Sequence, residues 1–283
     1  MTRIKSRTLL LPLVVLAAML FVAAAPFGSV AEAVPMYYAA VLEDGPIAYY
    51  RFGETSGTTA ADSSLLGANH PGTYKGTFGL GAPSQNPNLG AAAAFNGSDT
   101  RVQIADSTDF DLGTGPMTIE FLFKANTTSA RGDFFTYKGG GGDFGIHMDS
   151  NSSIDVYHNG YLLNDHGAIS RNVWHHLAFV RQAGTGANNT TLYLDGVPYA
   201  TFTDTQNFNI SNDLLIGSNH TGSPNNPTLL FNGTIDEFAI YNTALPLSRV
   251  QTHIDAMSVP EPATFALLGL GALGLLRRRR RSR

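Results

Sequence analysis

Two observations predict an all-β chain folded as an antiparallel sandwich. The first is the stretch NVWHHLAFVRQAGTGANNTTLYLDGVPYATF at residues 172–202. It holds three runs rich in β-branched and aromatic residues, at 173–181, 190–194 and 197–202, the last two joined by Asp195-Gly196, a tight-hairpin dipeptide. Both alternating faces of the first run are apolar, with Trp174, Ala178 and Val180 on one and Val173, Leu177 and Phe179 on the other, which predicts a strand covered on both sides. The second observation is composition. In 283 residues, 43% hydrophobic, 30 Gly and 14 Pro supply one sizeable core and too many turn-formers for a helical fold.

Taken in order, residues 1–33 read as a secretory signal peptide with its helix. Arg3, Lys5 and Arg7 precede an apolar run, and Ala31-Glu32-Ala33 is a small-x-small cleavage site. An uncleaved anchor is the alternative. A single β domain is expected at 34–258, with its first part, to about residue 88, made of short strands (47–52 and 73–75) in long turns. Residues 91–104 read as a hairpin around Asn96-Gly97, and 117–124 as a strand. Segments 133–137 and 144–148 bracket a run of four glycines, and 154–158 and 161–163 bracket Asn159-Gly160. The glycine run has no lysine-serine ending and no following helix, so it reads as a hairpin tip and not a phosphate loop. Strands are expected at 213–217 and 228–241. Leu245-Pro246 then opens a short amphipathic helix, with Leu247, Val250 and Ile254 on one face, expected to pack across the end of the sandwich.

Charge narrows the function classes. Nine of the 18 basic residues but only two of the 22 acidic ones lie in the two ends, which leaves residues 34–258 at −11. An acidic body is a poor nucleic-acid binder. There is no cysteine, so the fold rests on its core without disulfides.

Six segments carry a resemblance to known families. WHH with LYLDG in 174–196, IAYYRFGE at 47–54, AAAFNGS at 92–98, MTIEFLFK at 117–124 and FNGTIDEFAIYNTAL at 231–245 together resemble the laminin G-like jelly rolls of the concanavalin A-like lectin and glucanase superfamily. At 259–283, Val259-Pro260-Glu261-Pro262, an uncharged run from 263 to 276 expected as a short hydrophobic helix, and five arginines beginning Arg277, Arg278 and Arg279 resemble the PEP-CTERM sorting tail of Gram-negative bacteria. That resemblance implies recognition by an exosortase at the inner membrane. The hydrophobic run is shorter than the ~20 residues of a comfortable span, which suits transient tethering with the arginines cytoplasmic. A permanent anchor is the alternative.

Catalysis has no signature in the residues. The superfamily's glucanases carry Glu-x-Asp-x-x-Glu on a strand, and no such motif occurs. Asp109 and Asp111 fall in a turn, and His175 and His176, adjacent on a strand, point to opposite faces and cannot share a metal. The chain is therefore expected to be no enzyme. It reads instead as an exported surface or matrix protein that binds carbohydrate or mediates adhesion, or as an inert component of an exopolysaccharide-associated layer, with a glycan hydrolase as the remaining alternative. Candidate sugar contacts are Tyr49, Tyr50, Tyr157, His158, Tyr161, Asn219, His220, Asn225 and Asn226, since aromatic faces and amides suit sugar rings and hydroxyls.

The jelly-roll resemblance further implies a structural calcium ion at Asp236, with backbone oxygens from Asp44-Gly45 and Asn96-Gly97 and a bracing aspartate at Asp62. Asp236 and Glu237, as strand neighbours, are expected on opposite faces with Glu237 in solvent. The alternative is that Asp236 caps an amide or pairs with Arg51 or Arg101, and that Asp62 makes only an Asx-turn.

Overall fold

A computed structural model describes residues 36–65, 70–127, 130–139, 142–209, 211–220 and 223–258. The expected signal segment, the glycine-run tip at 140–141 and the C-terminal tail lie outside the described residues. Two antiparallel eight-stranded sheets form the body. The first runs Val197–Phe202, Thr190–Leu194, His175–Arg181, Met117–Ala125, Asn232–Tyr241, Ala91–Asn96, Gly79–Pro83, and Ala48–Tyr50 pairs with the second half of Asn232–Tyr241. The second runs Tyr161–Leu163, Ile154–His158, Gly142–Met148, Gly132–Gly139, Leu214–Ile216, Arg101–Ile104, Gly72–Lys75, Thr59–Ala60.

The sandwich core lies between the sheets and is dominated by rings: Phe121 stacks on Phe238 at 5.5 Å, and Phe123 meets Phe134 at 4.5 Å. A second apolar cluster covers the outer face of the first sheet. It is built by α1 (Met36–Glu43) and α2 (Leu247–Ser258), which pack on each other and on Tyr49, Leu122, Ala178, Val180 and Tyr241. This explains the two apolar faces of His175–Arg181, every residue of which is buried: Leu177 and Phe179 enter the sandwich, Ala178 and Val180 the helix layer.

Three expectations need correction. The 91–104 segment is no hairpin, because Ala91–Asn96 belongs to the first sheet and Arg101–Ile104 to the second. The Asn96 side chain makes the corner, its Oδ1 accepting from the N–H groups of Ser98 (2.8 Å) and Asp99 (3.0 Å). The helix α2 does not close the end of the sandwich; it lies on the first sheet's outer face, with Val250 and Met257 buried there. The helix α1 was hidden because MYYAAVLE is apolar nearly all round and shows no amphipathic period.

Asn232–Tyr241 is the strand that organises the first sheet, and it contains a bulge. Its register against Met117–Ala125 shifts between Asp236 (opposite Leu122) and Ala239 (opposite Glu120), and Glu237 sits at φ 51°. Alternation is broken there. Glu237 is therefore not in solvent: it is fully buried beside Asp236, and both lie on the helix-covered side with Tyr49.

Candidate glycan pocket

Alternation in the second sheet builds a pocket on its outer face. Phe144, Ile146 and Val156 turn into the core, so Gly145, His147 and Tyr157 face outward. Cross-strand pairing sets Asp133 and Asp155 on either side of His147, and Thr136 and Tyr157 on either side of Gly145. Gly145 keeps the floor low, since a Cβ there would stand 3.2 Å from Thr136 Cγ2. The cavity is about 230 Å³ and is walled by Arg131, Asp133, Lys138, His147, Tyr157, Tyr161 and Asn219.

Its polar groups are fixed by one another. Asn219 Nδ2 donates to Asp133 Oδ2 (2.7 Å), Arg131 Nη1 donates to Tyr161 OH (2.9 Å), and Lys138 pairs with Asp143 at 3.4 Å. Tyr157 and Tyr161 meet edge to face at 5.4 Å. Asp133 Oδ1 and Arg131 Nε form an ion pair at 3.7 Å without a hydrogen bond, both atoms being buried beneath the cavity. Burial pushes the Asp133 carboxyl up to about 7 against the opposing pull of Arg131 and Asn219, and burial together with Arg131 lowers His147 to about 4. The site thus offers a poised carboxyl, a guanidinium, an amide and two phenol rings, which suits a polyhydroxylated ligand.

Of the residues expected to touch sugar, Tyr157, Tyr161 and Asn219 come together here. His158 does not: it is buried against Phe208, with Nδ1 3.0 Å from Asp204, because alternation turns it inward. Tyr49 and Tyr50 are wholly buried, and Asn225 and Asn226 are exposed in a turn closed by Asn226 N to Ser223 O (2.9 Å), apart from the pocket lining. His220 pairs through its backbone with Pro227. Arg131, Asp133, Lys138, Asp143 and His147 went unnoticed in the sequence. For all but Arg131 the signal is there, as polar residues alternating with phenylalanine and isoleucine in GDFFTYK and GDFGIHM.

Asp236, implied as a calcium ligand, is held by the protein's own donors. Asp236 Oδ1 accepts from Glu237 N (2.9 Å) and Oδ2 from Ser84 Oγ. The Asp44 side chain pairs with Arg249 Nε (2.9 Å) and His253 Nε2 (2.8 Å), contacts that do not involve its implied backbone oxygen. Gly97 follows Asn96, which pairs with Asn232, four strand residues or about 13 Å from Asp236. Asp62 Oδ1 accepts from Tyr49 N (3.0 Å) and Ser64 N (2.9 Å), the second being an Asx-turn. Arg51 sits 3.5 Å from Glu237. Burial raises both Asp236 and Glu237.

The helix layer holds another buried polar cluster. Glu120 is met by His253 Nδ1 (2.9 Å), His176 Nε2 (3.2 Å) and the hydroxyl of Tyr241. Burial would raise its carboxyl, but the two histidines outweigh that and hold it well below the usual carboxylate range. His175, on the opposite face from His176, lies 2.7 Å from Asp195 and packs on Phe123.

Comparison with known proteins agrees with this architecture. A family model described as the concanavalin A-like lectin/glucanases superfamily matches residues 96–251, and the PEP-CTERM protein-sorting motif matches 258–281. The sorting motif indicates export and exosortase-mediated sorting to the cell surface in Gram-negative bacteria. No curated protein sequence matches the chain. Among solved structures, domain 4 of AbnA, a GH43 extracellular arabinanase from Geobacillus stearothermophilus in complex with arabinotriose, aligns over 75% of this chain and 98% of its own, with TM-score 0.57 and 22% identity. A Trypanosoma rangeli sialidase mutant displaying trans-sialidase activity aligns over 78% of this chain but 35% of its own, with TM-score 0.57 and 14% identity. The receptor binding domain of a botulinum neurotoxin C/D mosaic serotype aligns over 75% of this chain and 51% of its own, with TM-score 0.55 and 12% identity. With the family model covering more than half of the chain, this protein belongs to the concanavalin A-like lectin/glucanase superfamily and carries a PEP-CTERM sorting motif.

Proposed function

We propose that this protein is a non-catalytic glycan-binding module of the cell surface or extracellular matrix, with its ligand held in the pocket on the open face of the second sheet. The observation that carries this reading is the meeting of Tyr157, Tyr161 and Asn219 with Asp133 and Arg131 in the lining of one cavity. The arabinotriose-bound arabinanase domain, similar over nearly its whole length, supports a sugar as ligand. Binding without turnover is favoured because Asp133 and Asp143 each lie beside a cation, Arg131 and Lys138, instead of facing one another as an acid and nucleophile would.

Calorimetric titration with arabino-oligosaccharides, followed by a polysaccharide array, tests the reading. Saturable binding that weakens at least about tenfold in both Tyr157→Ala and Tyr161→Ala is expected, about 1.4 kcal/mol each. Absence of saturable binding to any polymer overturns it in favour of an inert matrix component, and sustained hydrolysis overturns the non-catalytic part. The same proposal has the tail held briefly in the inner membrane and then removed near Pro260 to Pro262. Intact-mass analysis of the surface-released protein checks this, and a species retaining Arg277 contradicts it.

A further inference from the structure

Away from the pocket lining, three carboxylates converge at the turn joining Gly142–Met148 to Ile154–His158. Asp149 leaves the first strand, Asp155 enters the second, and Asp165 follows Tyr161–Leu163; one oxygen of each lies within 4.8 Å of the other two. The segment DSNSSID sets oxygen-bearing side chains at alternate positions 149, 151, 153 and 155. Hydrogen bonds hold these groups in place. Asn151 Nδ2 donates to Asp165 Oδ1 (2.6 Å), Ser153 Oγ donates to Asp155 Oδ1 (2.9 Å), and Asp165 N donates to that same oxygen (2.9 Å). Arg171 braces the turn through Nη2 to Asp149 O (2.9 Å) and Nε to Ser152 Oγ (2.8 Å).

A second, independent observation points to a ligand. Asp155 is wholly buried, yet its Oδ2 has no hydrogen-bond partner. The polar atom recorded beside it is His147 Nε2 at 3.5 Å, which is itself buried and equally unpartnered. A buried carboxylate oxygen without a donor is strongly disfavoured unless a cation or water completes it.

We propose that Asp149, Asp155 and Asp165 form a calcium site. All three donors are hard oxygens, which disfavours zinc, and carboxylates gathered from a turn and a neighbouring loop suit calcium, which accepts loose oxygen cages, better than magnesium, which keeps most of its waters. The ion would tie the 149–155 turn to the 165 segment. It would also fix one wall of the pocket, because His147 beside Asp155 has its Nδ1 3.5 Å from Arg131 Nη2, and Arg131 holds Tyr161. The site does not depend on the glycan reading and is separate from Asp236.

The test is calcium titration of the chelator-treated protein by calorimetry, with thermal melts in calcium, magnesium and chelator. One saturable calcium site and a concentration-dependent rise in Tm are expected, with magnesium much weaker. Asp165→Asn on the exposed rim and Asp149→Asn on the half-buried one should each weaken calcium by about tenfold or more while melting like the chelated wild type. Asp236→Ala should keep the calcium response. Because Asp155→Asn risks misfolding, the two rim variants decide the matter. A wild type indifferent to calcium, or a response that both rim variants leave unchanged, overturns the proposal.

Discussion

Replacing Glu120 with glutamine keeps the shape of the side chain and removes the charge on which the helix layer is seated. In the native protein Glu120, fully buried, faces His253 of α2 and His176 of the sheet. His253 is raised above its ordinary value: burial lowers it, but Glu120 and then Asp44 more than compensate. Removing one partner of a buried ion pair costs roughly 3–5 kcal/mol. Asp44 remains 2.8 Å from His253 Nε2, which argues for the lower end, about 3 kcal/mol. For a domain of this size that is a fall in Tm of roughly 6–12 °C. The pH dependence follows from the two directions. Glu120, depressed in the fold, stabilises above the unfolded glutamate value of about 4.3 and loses its contribution as pH falls toward its folded value. His253, raised, stabilises fully below about 6.5 and loses its contribution as pH rises through its folded value. The cost of Glu120→Gln should therefore be greatest near pH 5.5 and shrink by pH 9. Urea unfolding followed by fluorescence is the assay, because the single tryptophan, Trp174, packs against the helix layer. A loss under about 1 kcal/mol at pH 5.5, or an equal loss at both pH values, would refute the reasoning.

Two other substitutions probe further buried charges. Asp133, at about 7, keeps a proton that the unfolded chain releases near 3.9, so stability falls between those values and levels off above them. Asp133→Asn should erase that slope and gain on the order of 1–3 kcal/mol on the wild type between pH 4 and 8; a difference in Tm that stays flat over that range contradicts it. Arg181 is wholly buried, bonded to Asp204 Oδ2 (3.2 Å) and to the carbonyls of Gly113 (2.7 Å) and Gly115 (3.1 Å). Asp204→Asn strands that charge and should cost about 3 kcal/mol in chemical denaturation, with a loss below about 1 kcal/mol counting against the account.

What the sequence determined by itself was the class of fold, the order of most strands and the destination of the protein. Period-two alternation and the Asp195-Gly196 and Asn159-Gly160 dipeptides are local signals, and the strands Thr190–Leu194, Val197–Phe202, Ile154–His158 and Tyr161–Leu163 stand where those signals put them. The sorting motif is likewise a contiguous string, legible without coordinates. Everything that depends on which strands become neighbours had to wait for the fold. Asn96-Gly97 looks like a hairpin turn in either case, and pairing with different sheets made it a corner. Alternation placed Glu237 in solvent, but a bulge and two covering helices buried it beside Asp236. Asp133, His147 and Asp155 come from three strands, and Asp149 and Asp165 from two loops, so their convergence is a property of register that no spacing along the chain encodes.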